Sequence, residues 1–457
     1  MNMKPVQTLK ISISGVRGVV GESLTPGLLV RFAESFGTYL NGGTIVIGRD
    51  TRTSGEMVKH AVLSGLTGTG CRVIDLDIVP VPTVQFMVRR LKAIGGIAIT
   101  ASHNPAQWNA LKFIREDGCF LNSYQARELL DVYHQGEYSK VGSDEIFPPR
   151  IFRNAVTLHA DAILGKLGRL PKDFHPTVVV DSVNGAGCVM AKTFLERLGC
   201  KVVAINGEPN GIFPRPPEPL PKNLSALCDA VLSNHADIGF AQDADADRLA
   251  IVSEKGLPIG EDYTLVLAMD YVLSREKGPA VVNLATSMAA DDIAARHGCK
   301  LIKSKIGEIN VTETMKQEKA VIGGEGNGGV IYPAVNLARD SFTGMAIVLH
   351  NLADKKQPLS KVVGEIPQYV MVKTSLPCPG GLAVEVLEKL ADQFTGKNVT
   401  RTDGIKIAKG KTWVLIRASN TEPILRVVAE APDRAEAERL AARYGDRINE
   451  IISQLSS

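Results

Sequence analysis

The chain has 457 residues, more than one hydrophobic core usually supports, so we expect about three or four domains. Its 52 basic and 49 acidic residues leave a net charge of only +3, which argues against a nucleic acid or an acidic membrane surface as partner. The seven cysteines lack C-x-x-C spacing, the start lacks an apolar signal core, and no run of about 18 apolar residues occurs. These patterns predict a cytoplasmic, soluble protein that acts on small molecules.

Three segments of the chain resemble copies of one strand–helix–strand module. Each copy opens with a buried-strand pattern, at residues 44–48, 177–181 and 280–284. The helix-like stretch that follows ends in each copy at a similar Gly-Cys-Arg or Gly-Cys-Lys junction, which begins at Gly70, Gly199 and Gly298. Glycine at this point favours a left-handed helix end, so the sequence predicts an internal repeat.

The next apolar strand of each copy runs into a polar loop. These loops are residues 101–105, 243–248 and 324–329. Because ligands of open α/β sheets gather beyond the strand ends, we expect the three loops to face one cleft. The proline-rich segment 209–221 inside the second copy is interpreted as a stiff connecting loop without a catalytic role.

The hydrophobicity pattern of the chain changes after about residue 371. Alternating runs at 404–408, 412–416 and 424–428 predict a small antiparallel sheet, and the amphipathic stretch 434–455 predicts a helix that covers it. The predicted fold is therefore α/β, with three related modules of mixed sheets and a C-terminal α+β domain around a central cleft. The predicted domain bounds are 1–148, 149–257, 258–370 and 371–457.

The segment Asp243-Ala-Asp-Ala-Asp-Arg248 is the clearest chemical signal, because three carboxylates so close together repel one another unless a cation lies among them. Oxygen ligands favour Mg²⁺, and we expect Asp243, Asp245 and Asp247 to bind it. An EF-hand is disfavoured because Arg248 replaces the turn glycine and a strand pattern follows. A solvated acidic turn is the other alternative.

Ser102 is the candidate nucleophile, with His103 beside it and Lys112 a short distance along the chain. Three aspartates leave Mg²⁺ room for one oxygen of a phosphate carried by Ser102, so we expect Ser102 and the aspartate loop to act together.

A second polar loop begins at Arg417. Its residues Ser419, Asn420 and Thr421 form a predicted turn whose donors suit a phosphate dianion, and Arg426 is a possible second cation. The same residue types are also common in turns that bind nothing.

From about Ile11 to the C-terminus the chain resembles the α-D-phosphohexomutases. Four motifs match in order: residues 100–105 resemble the phosphoserine loop, 243–248 the metal loop, 324–329 the sugar-binding loop and 417–423 the distal-phosphate loop. The resemblance implies an enzyme that transfers phosphate from Ser102 to a hexose monophosphate, forms a bound 1,6-bisphosphate and takes back the other phosphate. Because such a bisphosphate must reorient without escaping, we expect the fourth domain, tethered near residues 367–373, to close over the cleft as a lid.

The resemblance assigns further roles around that reaction. Arg17 and Arg248 would balance the charge of the transferring group, and Lys112 or His103 would be the general acid/base. We favour Lys112, because neighbouring cations should lower its pKa. Lys305, Glu325 and Asn327 would bind the sugar. Arg17, His103 and Lys305 also have ordinary structural interpretations.

The sugar-binding loop narrows the expected substrate. It reads Asn327-Gly-Gly where the family often has Ser-Gly-His, and Ala110 follows Asn109 where glycine is common. With residues 13–17 and 305–310, this pattern resembles the phosphoglucosamine mutase branch and predicts interconversion of glucosamine 6-phosphate and glucosamine 1-phosphate. The alternatives are a phosphoglucomutase or phosphomannomutase, a phosphatase, and an inactive sugar-phosphate-binding protein. We expect a monomer or homodimer.

Overall fold

The computed structural model describes residues 8–12, 15–379, 381–394, 398–419 and 423–456. The chain forms two compact units, one from residues 1–272 and 327–363 and the other from residues 273–326 and 364–457. Among the described helices, none combines the length and the apolar character that crossing a membrane requires.

The first part of the first unit is a seven-stranded mixed sheet in the order β1-β2-β6-β5-β3-β4-β7. Its strands are β1 (Lys10–Ser12), β2 (Gly15–Val19), β3 (Gly43–Arg49), β4 (Cys71–Ile78), β5 (Gly95–Ile99), β6 (Trp108–Arg115) and β7 (Arg150–Ile151). Its helices are α1 (Pro26–Tyr39), α2 (Gly55–Gly68), α3 (Val81–Arg90) and α4 (Ser123–Gln135). All five residues of β5 are buried, as expected for a central strand covered on both faces. β6 runs antiparallel to β5 and returns the chain from the loop that carries Ser102.

The second part of the first unit repeats this arrangement on a smaller scale. A four-stranded sheet has the order β11-β10-β8-β9. Its strands and helices are α5 (Ala155–Leu167), β8 (Thr177–Asp181), α6 (Ala191–Leu198), β9 (Lys201–Ile205), α7 (Ser225–Ser233), β10 (Ile238–Gln242) and β11 (Leu249–Ser253). Because β10 and β11 form an antiparallel hairpin, the residues between them lie at one end of a buried pair of strands.

Helix α8 (Glu261–Arg275) leads from the first unit into the second. In the second unit, β12 (Ala280–Asn283) pairs in parallel with β13 (Leu301–Ser304) and β14 (Ile322–Glu325). The associated helices are α9 (Ala289–Arg296) and α10 (Glu308–Glu318). The chain then returns to the first unit with β15 (Gly329–Tyr332), β16 (Asn336–Arg339), α11 (Ser341–Lys355) and α12 (Leu359–Gly364).

The C-terminal part of the second unit is an antiparallel sheet in the order β17-β21-β20-β19-β18. Its elements are β17 (Val370–Pro377), α13 (Leu382–Asp392), β18 (Val399–Thr400), β19 (Ile405–Lys409), β20 (Thr412–Ala418), β21 (Ile424–Ala431) and α14 (Arg434–Ser456). One face packs Val414 and Val427 against Tyr444 and Ile448 of α14. This confirms the predicted sheet and covering helix, and adds two edge strands that the alternating pattern did not indicate.

Buried polar contacts fasten this sheet to the rest of the second unit. The indole N–H of Trp413 donates to Glu430 at 2.6 Å, and Glu430 accepts the N–H of Met288 at 2.9 Å. Lys406 donates to the carbonyl of Leu284 at 2.6 Å. The C-terminal domain is therefore held by these bonds as well as by the chain at residues 367–373.

The predicted module repeat is visible in the backbone. Gly70, Gly199 and Gly298 have φ values of 79°, 120° and 64°, so each helix ends with the left-handed residue that the sequence suggested. The predicted α/β fold class is confirmed, and the domain boundaries at 148/149, 257/258 and 370/371 stay predictions.

Candidate active site

Ser102 lies directly beyond β5, in a backbone conformation that serine rarely adopts. Its φ is 50°, in the left-handed region, and only 6% of the residue is exposed. Such a conformation persists only where the surroundings impose it. Here the N–H of Ser102 donates to the hydroxyl of Thr100 at 2.9 Å, which fixes the direction of the loop as it leaves the strand.

The carbonyls of the serine loop are held by Arg52, a residue that the sequence argument missed. Its guanidinium donates to the carbonyls of Ser102 and Asn104, each at 2.7 Å, and of Pro105 at 2.6 Å. Asp50 orients it through a 2.9 Å bond from Nε, and both side chains of this pair are fully buried. Asp50 also accepts from the Thr100 hydroxyl at 2.6 Å. Since Thr100 in turn receives the N–H of Ser102, one buried network supports both sides of the loop.

The three aspartates form a cluster at the tip of the β10–β11 hairpin. Asp243, Asp245 and Asp247 are at most 1% exposed, and one ligand oxygen from each lies within 4.8 Å of the others. Neighbouring segments fix the loop, because the carbonyl of Asp245 accepts the N–H of Val81 at 3.0 Å. The carbonyl of Ala246 likewise accepts the hydroxyl of Ser341 at 2.7 Å.

The serine loop and the aspartate loop meet. The Ser102 hydroxyl donates to Asp243 at 2.8 Å although the two residues are 141 positions apart in the chain. This contact confirms that loops from two copies of the module converge, as the strand-end argument predicted.

The electrostatics of the triad call for a cation. Burial, followed by the charges of Asp245 and Asp247, raises the pKa of Asp243 well above its usual range. Oδ1 of Asp245 and Oδ1 of Asp247 are buried without a hydrogen-bond partner among the described residues. Burying a charged oxygen in that state is costly unless a metal or a hydrogen bond compensates. The donor set of carboxylate oxygens fits Mg²⁺, and it is the only such cluster of metal-ligating side chains in the described part of the chain.

Lys112 and Arg339 supply positive charge next to two of the three aspartates. Lys112 donates to Asp245 at 2.8 Å, and Arg339 forms an ion pair with Asp247. Burial alone would raise the pKa of Asp245. The charge of Lys112, the hydrogen bonds from Lys112 and Asp243, and the charge of Arg339 together outweigh burial, so this pKa lies below its usual value. Arg339 was not predicted from the sequence.

The proposed reason for choosing Lys112 as the acid/base is wrong. Burial lowers the pKa of Lys112, but Asp245 and Asp247 more than offset burial, and the pKa is raised. A cation, Arg339, does lie nearby, but the carboxylates that contact the ammonium have the larger effect. Lys112 therefore holds its proton here, and its role in proton transfer stays a prediction.

Arg17, Arg248 and His103 complete the surroundings of Ser102. Arg17 donates to the side chain of Asn104 at 2.8 Å, and burial and the charge of Arg248 lower the pKa of Arg17. The His103 ring lies 3.3 Å from the Ser102 hydroxyl. Burial and then Arg248 lower the pKa of His103 to about 2, so its ring is neutral at physiological pH. It is suited to a hydrogen bond and poorly suited to carrying a proton.

The Asn-Gly-Gly segment of the predicted sugar loop lies against the metal hairpin. Gly328 has a φ of 84° and its carbonyl accepts the N–H of Leu249 at 3.1 Å, while a Cβ at Gly328 would lie 2.2 Å from the Leu249 carbonyl oxygen. A Cβ at Gly329 would lie 2.3 Å from Cδ of Arg339. Backbone therefore requires glycine at position 328, whereas a side chain at position 329 would force the Arg339 side chain to move. Oδ1 of Asn327 is buried without a hydrogen-bond partner in the described structure, so it is available to a ligand.

The remaining predicted sugar-binding residues belong to the second unit. Glu325 is 3% exposed and accepts from the Asn283 amide and from the N–H of Gly307, both at 2.9 Å. Lys305 precedes this turn and its side chain is exposed. Glu325 is thus oriented by bonds to β12 and to the start of α10.

The predicted phosphate-binding arginines lie directly opposite each other in the C-terminal sheet. Arg417 on β20 pairs in register with Arg426 on β21. Two like charges at opposed positions are destabilising, unless an anion such as phosphate lies between them. Asp403 lies 3.5 Å from Arg417, whose Nε is buried without a hydrogen-bond partner in the described structure. Ser419 donates its N–H to the carbonyl of Ile424 at 3.0 Å.

Asn420 and Thr421 of the same predicted loop lie outside the described residues.

Four family models cover most of the chain. They are the phosphoglucomutase/phosphomannomutase alpha/beta/alpha domains I (residues 9–140), II (160–256) and III (260–369) and the C-terminal domain (379–446). The chain belongs to the phosphoglucomutase/phosphomannomutase family. Its resemblance to the phosphohexomutases is therefore confirmed.

Two curated relatives and one solved structure illustrate the range within the family. A Methanopyrus kandleri protein named "probable phosphoglucosamine mutase" is 35% identical over 97% of this chain and 98% of its own length. A Thermococcus kodakarensis protein named phosphoglucomutase/phosphomannomutase is 38% identical over 93% and 94%. The crystal structure of a Burkholderia thailandensis phosphoglucomutase/phosphomannomutase family protein matches with a TM-score of 0.86 and 24% identity, over 97% of each chain. That structural likeness shows a shared fold.

The residues missed by the sequence argument share a position. Asp50 and Arg52 follow β3 as Ser102 follows β5 and Asp243 follows β10. The charged run Arg49-Asp-Thr-Arg52 at the carboxyl end of a buried strand was a usable signal, because the carboxyl ends of parallel strands meet at one edge of a sheet. Arg339 gave no comparable signal, since it ends a short strand far along the chain.

Proposed function

We propose that this family member interconverts glucosamine 6-phosphate and glucosamine 1-phosphate through a phosphorylated Ser102 and a bound 1,6-bisphosphate. The contact that supports this most directly is the Ser102 hydroxyl on Asp243 of a buried carboxylate triad. A solvated acidic turn would not bury three carboxylates around a serine. Curated relatives named as probable phosphoglucosamine mutases support the same assignment.

In the first half-reaction, a substrate hydroxyl oxygen forms a bond to phosphorus as the bond between phosphorus and Ser102 Oγ breaks. Ser102 Oγ then needs a proton and the attacking hydroxyl must lose one. We propose that Lys112, protonated and 2.8 Å from Asp245, donates a proton to Ser102 Oγ and takes up the proton that the attacking hydroxyl loses, so that its ammonium is restored. In the second half-reaction it takes up the proton of the Ser102 hydroxyl and donates one to the sugar oxygen that the phosphoryl group leaves. When bound by Asp243, Asp245, Asp247 and an oxygen on Ser102, Mg²⁺ supplies positive charge to the transferring phosphoryl group.

Arg17 and Arg248 are proposed to stabilise the same phosphoryl group from the protein side. Burial, and then the charge of Arg248, lower the pKa of Arg17, and the second contribution is expected if the two guanidinium groups act on a common region. Their mutual repulsion is relieved when a phosphate dianion lies between them. His103, being neutral, is proposed to orient the Ser102 hydroxyl by hydrogen bonding.

The remaining contacts are proposed to hold the part of the substrate that does not react. Glu325 and Asn327 offer acceptors to sugar hydroxyl or amino groups, and Lys305 offers a donor. The second phosphate is assigned to Arg417 and to the other residues of its loop and sheet: Ser419, Asn420, Thr421 and Arg426. The opposed arginines of β20 and β21 favour this assignment.

Substrate preference is tested by measuring kcat/KM for glucosamine 6-phosphate, glucose 6-phosphate and mannose 6-phosphate, each with its 1,6-bisphosphate as activator. We expect glucosamine 6-phosphate to be preferred by about tenfold or more, which corresponds to roughly 1.4 kcal/mol in transition-state binding. A tenfold preference for glucose or mannose would instead assign the protein to phosphoglucomutase or phosphomannomutase activity.

The phosphoserine step is tested by intact-mass measurement and mutation. After incubation with glucose 1,6-bisphosphate, the protein should carry one phosphate that peptide mapping places on Ser102. Ser102→Ala should lose both the adduct and isomerase activity, whereas Ser233→Ala, at an exposed serine on α7, should keep both. An active Ser102→Ala variant would rule out this mechanism.

Phosphate release separates the remaining alternatives. A mutase returns the phosphate to the sugar, so inorganic phosphate should accumulate far more slowly than isomerised product. Equal rates of release would indicate a phosphatase, and substrate binding without either product would indicate a binding protein. The cytoplasmic location and the monomeric or dimeric state remain part of the proposal.

A further inference from the structure

The proline-rich loop 209–221 lies against the segment that supports the serine loop. Gly211 has a φ of 71°, and a Cβ there would lie 2.0 Å from the carbonyl oxygen of Thr51. Two residues later, the ring of Phe213 lies under the guanidinium of Arg52 at 5.1 Å. Arg52 is the residue that holds the carbonyls of the serine loop, so the proline-rich loop contacts the active site through it.

The same loop is clamped to the strand that carries the metal hairpin. Arg215 donates to the carboxylate of Asp181 at 2.7 Å and to the carbonyl of Gln242 at 2.9 Å. Gln242 immediately precedes Asp243. The Arg215 side chain is 8% exposed and that of Asp181 is 1% exposed, so this is a buried pair and not a surface contact. The loop therefore has a fixed place beside the metal hairpin.

Glu218 of this loop forms an ion pair with Arg248. Its carboxylate lies 3.2 Å from Nη1 of Arg248, and the carbonyl of Glu218 accepts from the Asn223 amide at 2.9 Å. The other side of the guanidinium faces the triad: Nε is buried without a hydrogen-bond partner in the described structure and lies 4.0 Å from Oδ1 of Asp247. Arg248 thus stands between one carboxylate on the loop and the acidic cluster.

In this position the Arg248 guanidinium can pair either with Glu218 or with the carboxylates of the triad. Without Glu218, the nearest carboxylates would be those of the triad, where Oδ1 of Asp245 and Oδ1 of Asp247 lack hydrogen-bond partners among the described residues. A guanidinium forms bidentate pairs with carboxylates readily, so it would compete there with a divalent cation. The Glu218 carboxylate, by pairing with Arg248, removes that competition.

We propose that Glu218 is a positioning residue that holds Arg248 away from the aspartate triad and directs its remaining N–H groups to the transferring phosphoryl group. This rests on the proposed function, in which Arg248 balances the charge of that group. The loop for which the sequence suggested only a connecting role then becomes part of the catalytic arrangement.

The test compares Glu218→Gln with the wild-type enzyme. We expect kcat to fall on the order of tenfold, because a charged group near the reacting phosphate is displaced, while KM for the sugar phosphate stays within about twofold. Mg²⁺ binding to the protein, measured by isothermal titration calorimetry, should weaken several-fold. The melting temperature should not change, since this pair is partly exposed, and Glu218→Asp should recover part of kcat.

Glu208→Gln is the matched control, because Glu208 is an exposed acid just before the same loop and its replacement removes the same charge. It should leave kcat and Mg²⁺ affinity unchanged. Equal losses in Glu208→Gln and Glu218→Gln would attribute the effect to net charge and overturn the proposal. Unchanged kcat and Mg²⁺ affinity in Glu218→Gln would overturn it directly.

A double-mutant comparison separates positioning from general stability. If Glu218 acts only through Arg248, adding Glu218→Gln to Arg248→Met should cause no further loss of kcat, whereas independent roles would give multiplied losses. Multiplied losses would overturn the inference while leaving the proposed role of Arg248 intact. Full activity in Arg248→Met alone would overturn the proposed role of Arg248 and, with it, this inference.

Discussion

Replacing Arg52 by methionine should damage both the stability of the protein and the chemistry of Ser102. The side chain of Arg52 is fully buried and donates to Asp50 and to three carbonyls of the serine loop. Methionine has a similar length but no donor. The carboxylate of Asp50, also fully buried, would lose its charge partner, and the left-handed conformation of Ser102 would lose its main support.

The magnitude follows from the buried pair. Breaking such a pair by removing one partner costs about 3–5 kcal/mol, because an uncompensated charge remains inside. Proton uptake limits that cost: burial raises the pKa of Asp50 and Arg52 opposes the rise, so without Arg52 the carboxyl becomes neutral more readily. We therefore expect Arg52→Met to unfold at a clearly lower temperature but to remain folded at about 25 °C.

The effect on catalysis should be larger than stability alone explains. A displacement of the reacting oxygen by about 1 Å can cost on the order of a hundredfold in rate. We expect kcat of Arg52→Met, measured in a coupled mutase assay on the folded protein, to fall by about that factor, with a smaller change in KM.

A second substitution distinguishes the two effects. The double variant Arg52→Met with Asp50→Asn no longer has the unpaired buried carboxylate, so its melting temperature should be partly restored. Its kcat should stay low, because the carbonyls of the serine loop still lack their donor. Arg127→Met, at an exposed site on α4, is the control for loss of an arginine. Wild-type kcat in folded Arg52→Met, or recovery of activity together with stability in the double variant, would show that Arg52 does not position the serine loop.

Three further predictions follow from other parts of the structure. Gly329→His should displace Arg339, because a Cβ at Gly329 would lie 2.3 Å from its Cδ; kcat should fall several-fold, and wild-type kcat would contradict this. Arg417→Met should raise KM for the sugar phosphate about tenfold without changing the phosphate content of Ser102, and an unchanged KM would remove the phosphate-binding assignment. Burial raises the pKa of Cys188 and of Cys200 to about 12, so both thiols should react far more slowly with iodoacetamide at about pH 8 in the native protein than in urea. Native labelling at the rate of a free thiol would contradict the raised pKa values.

Local residue patterns were sufficient for the fold class and for the centre of the site. Continuous apolar runs indicate buried strands, glycine indicates helix ends, and carboxylates at alternate positions indicate a cation site, since each signal depends on near neighbours in the chain. For that reason the β10–β11 hairpin, the left-handed glycine at Gly199 and the candidate nucleophile Ser102 could all be inferred from the order of residues alone. The meeting of Ser102 with Asp243 was predicted only through a general rule about strand ends.

The tertiary structure decided the protonation and the support of those groups. In the sequence, neighbouring cations predict a lowered pKa for Lys112, whereas in the structure the carboxylates in contact with its ammonium raise that pKa. Arg52, Arg339 and Glu218 acquired roles only through partners between 30 and 92 positions away in the chain. Electrostatic energies depend on distance and burial in space, and a linear pattern contains neither quantity.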